Sequence, residues 1–127
     1  MIAIDTSALM AIVLVEPAMQ SCKNALKLDP DVVISAGTLT ESLIVASRRN
    51  VSEQVLRLVD ELNFDVIPVT RATAERIDLA YSKWGKGVHP ASLNLGDCFA
   101  YDVAKQHSCK LLFVGKDFAR TDIESVL

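Results

Sequence analysis

Short β-branched runs alternate along the chain with longer stretches in which apolar residues return every three or four positions. The runs "MIAI" (1–4), "VVIS" (32–35), "DVIPV" (65–69) and "LLFV" (111–114) predict strands. The helical periodicity covers 7–15, 18–28, 38–49, 52–62, 71–84 and 97–107. Such alternation predicts βαβ units around a mostly parallel sheet, an α/β fold. Pro68 cannot donate to a ladder, so its strand is expected at an edge. "ESVL" (124–127) predicts a last, weak strand. Thr38 and Glu41 have capping-box spacing, and Ser52 precedes a helix with Val55, Leu56, Val59 and Leu62 on one face. One long loop, "GKGVHPASLNLG" (85–96), leads into Asp97.

Composition narrows this frame. With 127 residues, half of them hydrophobic, residues 1–127 are expected to form a single domain with a substantial core. A net charge of −3 argues against a protein that coats nucleic acid through a basic surface. Cys22, Cys98 and Cys109 form no C-x-x-C pair and indicate neither a disulfide framework nor a zinc ribbon. The apolar run Ala8 to Val15 is too short to span a bilayer, and "MIAIDTS" has an acid where a signal peptide carries positive charge. The expectation is a cytoplasmic protein without a membrane partner.

Four acids fall where loops leave the carboxyl ends of strands, the place where ligands gather on open parallel sheets. Asp5 follows the first strand, Glu41 lies one turn into the helix after "VVIS", Asp97 opens its helix, and Asp117 follows "LLFVGK". Each has an ordinary reading as well. Asp5 and Asp97 are natural helix caps, Glu41 is half of a capping box, and Asp117 and Asp122 suit turns. If the four converge, carboxylates about 5 Å apart repel by roughly 3 kcal/mol per pair, and the cluster needs protons or a cation. Oxygen ligands without cysteine or histidine suit Mg²⁺ or Mn²⁺, and metal-assisted phosphodiester hydrolysis follows as a reaction class.

The segments "IDTSAL", "ISAGTLTES", "IPVT", "YSKWGKGVHPASLNLGDCFAYDVAK" and "LLFVGKDFARTDI" span nearly the whole chain. Together they resemble the PIN-domain ribonucleases of the VapC toxin type. The resemblance implies a three-layer α/β/α sandwich, a Mg²⁺- or Mn²⁺-dependent endoribonuclease acting on RNA, a cognate VapB-type antitoxin that blocks the site, and a homodimer. Carried over position by position, it implies an acidic site of Asp5, Glu41, Asp97 and Asp117, with Asp5 and Asp97 holding the metal. Ser7 becomes a hydroxyl near the metal and Asp122 a supporting acid. Two positions depart from the pattern. Lys116 sets a cation beside Asp117, and Asp102 adds an acid that we read as solvated or salt-bridged.

The mechanism expected is attack by a metal-activated water, leaving a 5′-phosphate and a 3′-hydroxyl without a histidine base. His89 and His107 are read as a loop residue and a helix-end residue. Arg48, Arg49, Lys83, Lys86, Lys116 and Arg120 are candidates for guiding RNA, with Lys86 and Arg120 best placed beside Asp97 and Asp117. Trp84, Tyr81, Leu56, Leu58, Val59 and Leu62 are read mainly as core, with a dimer or antitoxin contact as the other use. Two further classes fit part of the pattern. A Mg²⁺-binding phosphoacceptor receiver domain needs an Asp at the end of a middle strand, where "DVIPVT" has Thr70. A non-catalytic α/β binding domain that had lost its chemistry is expected to have lost an acid.

Overall fold

The computed structural model describes all residues, 1–127. In chain order the elements are β1 (Ile2–Ile4), α1 (Thr6–Val13), α2 (Met19–Leu28), β2 (Val32–Ser35), α3 (Ala36–Ser47), α4 (Ser52–Glu61), β3 (Asp65–Ile67), α5 (Arg71–Trp84), α6 (Leu95–Gln106) and β4 (Lys110–Leu112). The strands form one parallel sheet in the order β3-β2-β1-β4. β3 lies at an edge of the sheet as expected, but it ends at Ile67, so Pro68 follows the strand and occupies no ladder position. The tail "ESVL" makes only an isolated bridge, Ser125 to Leu111, supported by backbone bonds from Leu111 N–H to Glu124 and from Val126 N–H to Leu111. It covers the free edge of β4, which would otherwise present unpaired backbone.

Successive side chains on a strand point to opposite faces, and on the central strands β1 and β2 both faces are buried. Ile2, Ile4, Val32, Ile34 and Leu112 pack on one side with Leu9, Ile12, Cys22, Leu26, Val55 and Val59 of α1, α2 and α4. Ala3, Val33, Leu111 and Phe113 pack on the other with Ile77 and Ala80 of α5 and Cys98, Tyr101 and Val103 of α6. The result is a three-layer α/β/α sandwich. No helix is long and apolar enough to cross a membrane.

Several local expectations are corrected. No capping box joins Thr38 and Glu41. Ser35, the last residue of β2, accepts from Gly37 N–H and starts α3 two residues earlier than the apolar period indicates. That leaves the Glu41 carboxylate available elsewhere. The buried stripe of α3 is also not the apolar one: Thr38, Ser42 and Ala46 are buried, whereas Ile44 is 53% exposed. Small and polar side chains face inward there because Ser42 and the Thr38 carbonyl bond to Thr6 of α1. The α4 face divides too. Val55 and Val59 are buried, and Leu56 and Leu62 are exposed. The loop 85–96 is tied back on itself by Leu93 N–H to the Trp84 carbonyl and Lys86 N–H to Leu93.

A candidate acidic active site

Asp5 leaves β1 with extended backbone and becomes the N-cap of α1. Its Oδ2 accepts from Ser7 N–H at 3.0 Å and from the Ser7 hydroxyl at 2.6 Å. Ser7 Oγ in turn accepts from Val114 N–H at 3.0 Å, so the turn after β1 is fastened to the end of β4. The other carboxylate oxygen, Oδ1, is buried and has no partner. Burial raises the Asp5 pKa above the ordinary value against the lowering effect of the Ser7 bonds, and the Glu41 charge raises it further. Asp5 therefore fills both roles open to it. One oxygen caps a helix, and the other is an acceptor that the protein leaves unsatisfied.

Glu41 is held by a neighbour that the sequence reading did not single out. Thr6 Oγ1 donates to Glu41 Oε1 at 2.6 Å and lies 3.0 Å from Ser42 Oγ, whose own hydroxyl reaches the Thr38 carbonyl at 2.8 Å. A hydroxyl has one proton, and this shortest bond spends it on the carboxylate. The other Glu41 oxygen lies against Gly96 in the first turn of α6, where a Cβ on residue 96 would overlap the carboxylate. Gly96 is thus a glycine because an acid occupies its side-chain space. Gly96→Ala is expected to displace Glu41 and cut RNA at least about tenfold more slowly, the scale on which misplacing a site group acts. Circular dichroism should stay unchanged; full activity in Gly96→Ala would show that this packing does not serve the site.

Asp97 is the third residue of α6 and not its cap. Asn94 is the cap: its Oδ1 accepts from Asp97 N–H at 2.8 Å, and Asp97 Oδ2 accepts from Asn94 N–H at 3.0 Å. This reciprocal capping box satisfies two otherwise free amides. Asp97 is 8% exposed. Burial pushes its pKa up to about 7, against the Asn94 bond, and the charges of Asp5, Asp117 and Glu41 add to the rise. The four acids therefore share one electrostatic site. Asp117 is its exposed member, carried by the turn after Gly115, whose φ of +101° favours glycine.

No three acid, histidine or cysteine side chains are arranged to hold a metal ion by themselves. The donors here are all carboxylate oxygens, and Asp5 Oδ1 lacks any other partner.

Other acids and bases lie outside the cluster. Asp122 accepts from Tyr101 Oη at 2.8 Å and Lys105 Nζ at 3.0 Å, and Trp84 Nε1 donates to the same Tyr101 oxygen at 3.0 Å. It ties the tail to α5 and α6 and bonds to none of the four acids. Asp102 is salt-bridged but not solvated: it is 7% exposed and takes a bidentate grip from Arg76, with Nε–Oδ1 at 2.7 Å and Nη2–Oδ2 at 3.1 Å. His89 Nδ1 accepts from Ala91 N–H, and His107 follows α6 with its Nδ1 by the Val103 carbonyl, so both are loop or helix-end residues as expected. Lys86, Lys116 and Arg120 are exposed and enter none of the ion pairs. Lys83 lies over the Trp84 ring at 4.9 Å.

A family model for the PIN domain matches residues 2–124. Ribonuclease VapC42 of Mycobacterium tuberculosis is 40% identical over 124 residues, covering 94% of this chain and 95% of its own. Ribonuclease VapC of Mycolicibacterium smegmatis is 38% identical over 127 residues, covering 97% and 98%. Among solved structures, Mycobacterium tuberculosis VapC20, described as a Sarcin-Ricin loop cleaving toxin, superposes with a TM-score of 0.79 at 16% identity, over 97% of this chain and 96% of that one. A toxin-antitoxin complex from Klebsiella pneumoniae gives a TM-score of 0.72 at 23% identity, over 96% and 93%.

Proposed function

The chain belongs to the PIN-domain family, and on that premise we propose that it is a VapC-type endoribonuclease toxin whose site is Asp5, Glu41, Asp97 and Asp117, with Mg²⁺ or Mn²⁺ as its ion. The observation that carries the site is the buried, unpartnered Oδ1 of Asp5 among three further acids. An unsatisfied buried acceptor costs free energy unless something binds it. Asp5 and Asp97 are the residues that would hold the ion. When bound, a divalent ion would polarise a phosphate and lower the pKa of its bound water.

The chain's own groups do the rest. Ser7 fixes the rotamer of Asp5 by occupying Oδ2, which leaves Oδ1 facing the site. Thr6 holds Glu41 by Oε1, so this acid is oriented without being neutralised. Asp117, exposed beside the buried acids, would help position the attacking water. Lys86, Lys116 and Arg120 offset the negative field along the RNA backbone, so binding is expected to weaken with salt. Cleavage by water leaves a 5′-phosphate and a 3′-hydroxyl.

A cognate VapB-type antitoxin is the partner we assign. An arginine from it, planar and bidentate, would satisfy the four acids in place of an ion. The exposed apolar side chains Leu56 of α4, its C-cap Leu62 and Ile44 of α3 are the surface we assign to antitoxin or to a second copy in a homodimer.

Mass action tests the site. A ligand of the folded state at a hundredfold excess over its Kd stabilises by about 2.7 kcal/mol, so Mg²⁺ or Mn²⁺ should raise the melting temperature measurably at pH 7.5. Asp5→Asn should abolish most of that rise, and EDTA should stop cleavage of labelled RNA by the parent. A melting curve indifferent to both ions would remove the basis for this site.

A further inference from the structure

Beside the acidic cluster, between α5 and the start of α6, runs an apolar groove of about 570 Å³, lined among others by Val69, Tyr81, Lys86, Asn94, Leu95 and Phe99. Its volume is in the range of small-ligand pockets, about 300–1,000 Å³. Leu95 is 61% exposed and Tyr81 38% exposed, so aromatic and aliphatic surface faces water next to a catalytic centre. Building on the ribonuclease reading, we propose that this groove is a nucleobase subsite. It seats the base of a nucleotide flanking the scissile phosphate, with Tyr81 as its stacking partner and Lys86 on the adjoining phosphate.

Five observations select a base over a purely apolar occupant. The groove and the acids meet at the start of α6: the N-cap Asn94 lines the groove, and Asp97, three residues or about 4.5 Å of helical rise further on, belongs to the cluster. One sugar–phosphate unit spans that interval. Asn94 Oδ1 is used by the Asp97 amide, while its Nδ2 makes no bond and is free to donate to a base. Lys86 is exposed without an acidic partner, and the tied-back loop fixes its backbone, Lys86 N–H donating to Leu93 at 2.9 Å. The aromatic surface is also preset. Gly37 of α3 packs against the Phe99 ring and Gly85 against the Tyr81 ring, each so closely that a Cβ would collide. Rings held in this way lose little freedom when a base stacks on them. Asp78, also in the lining, is an acceptor for an exocyclic amino group.

The test uses the full chain on random-sequence single-stranded oligoribonucleotides in Mg²⁺ or Mn²⁺, with cut sites mapped and KM and kcat measured on one preferred oligonucleotide. Cleavage by the parent should show a base preference at a position flanking the cut. An abasic residue at that position should raise KM about tenfold, the scale of one stacked base, with kcat little changed. Tyr81→Leu should raise KM to the same degree on the intact oligonucleotide and add nothing on the abasic one, and Tyr81→Phe should restore the parent value. A parent that cuts no RNA with either ion overturns the ribonuclease reading and the subsite together. A parent that cuts, yet ignores the abasic residue, overturns the subsite alone. So does a Tyr81→Leu protein with an unchanged cleavage profile that has lost a dimer seen for the parent by light scattering, which would assign the groove to a second copy.

Discussion

Asp97→Asn protein is expected to fold, to melt above the parent at pH 8 without metal, and to cut RNA roughly 10²–10³-fold more slowly or not at all, the scale of losing one charge-stabilising group. Asparagine keeps an oxygen for the Asn94 amide, so the start of α6 is preserved. What it lacks is a charge that burial and three neighbouring acids oppose. The Asp97 pKa stands at about 7 against an ordinary 3.8. The folded state therefore binds this proton more tightly than the unfolded state. The stability it contributes is complete below pH 3.8 and is lost as pH rises through 7. Across that window the loss is on the order of 4 kcal/mol. Asp5, also raised, adds a loss of the same sign. Denaturant melts of metal-free parent should therefore weaken from pH 4 to pH 8, and those of Asp97→Asn should weaken much less. Equal pH slopes in the two proteins, or undiminished cleavage by the variant, would overturn the acid cluster as the site.

The largest loss of stability expected from a single substitution lies elsewhere, at Arg76→Met. Removing one partner of a buried ion pair leaves the other charged and unsatisfied, at a cost of about 3–5 kcal/mol. Asp102 is buried on α6, and Arg76 of α5 satisfies both its oxygens. Because the Arg76 side chain is itself 35% exposed, water reaches the gap, and the lower end of that range, about 3 kcal/mol, applies. In a domain of this size the melting temperature should fall by about 10 °C. A second change, Asp102→Leu, should recover most of the loss, since it removes the stranded charge. Thermal denaturation of the single and double variants decides it. An Arg76→Met protein as stable as the parent would mean that the pair carries nothing.

Much of this was readable in the sequence, because period and punctuation are local. Each of the four strand runs and six helical stretches marks a real element, and the run holding Pro68 lies at a sheet edge, its strand stopping one residue before the proline. The grouping of Asp5, Glu41, Asp97 and Asp117 followed from where strands end. What was not readable depends on pairs distant in sequence. Nothing near Thr6 indicates that its hydroxyl will meet Glu41, and nothing near Gly96 indicates that a carboxylate will fill its side-chain space. The capping box at Thr38 failed for a local reason. Ser35 competes for the same role and wins because β2 delivers it in extended backbone at the start of α3. Asp102 looked like a surface acid because burial of a charge depends on its partner, and Arg76 lies in another helix.

The bond from Val114 N–H to Ser7 Oγ joins positions 107 residues apart and closes the turn that carries Asp5. Asp5 itself donates its backbone N–H to Leu112, and β1 pairs with β4 along Ile2–Ile4. The site is thus fastened by contacts of nearly the greatest sequence separation the chain allows, the kind that form late in folding. During synthesis, at about 5–20 residues per second, Asp5 is made well before its fastening strand. A growing chain can build the α1–α4 layer against β1 and β2, but it lacks β4, Val114 and Asp117. Until β4, Val114 and Asp117 have been made, the acidic centre is incomplete and Asp5 lacks its fastening, so the chain carries no assembled site through most of its own synthesis.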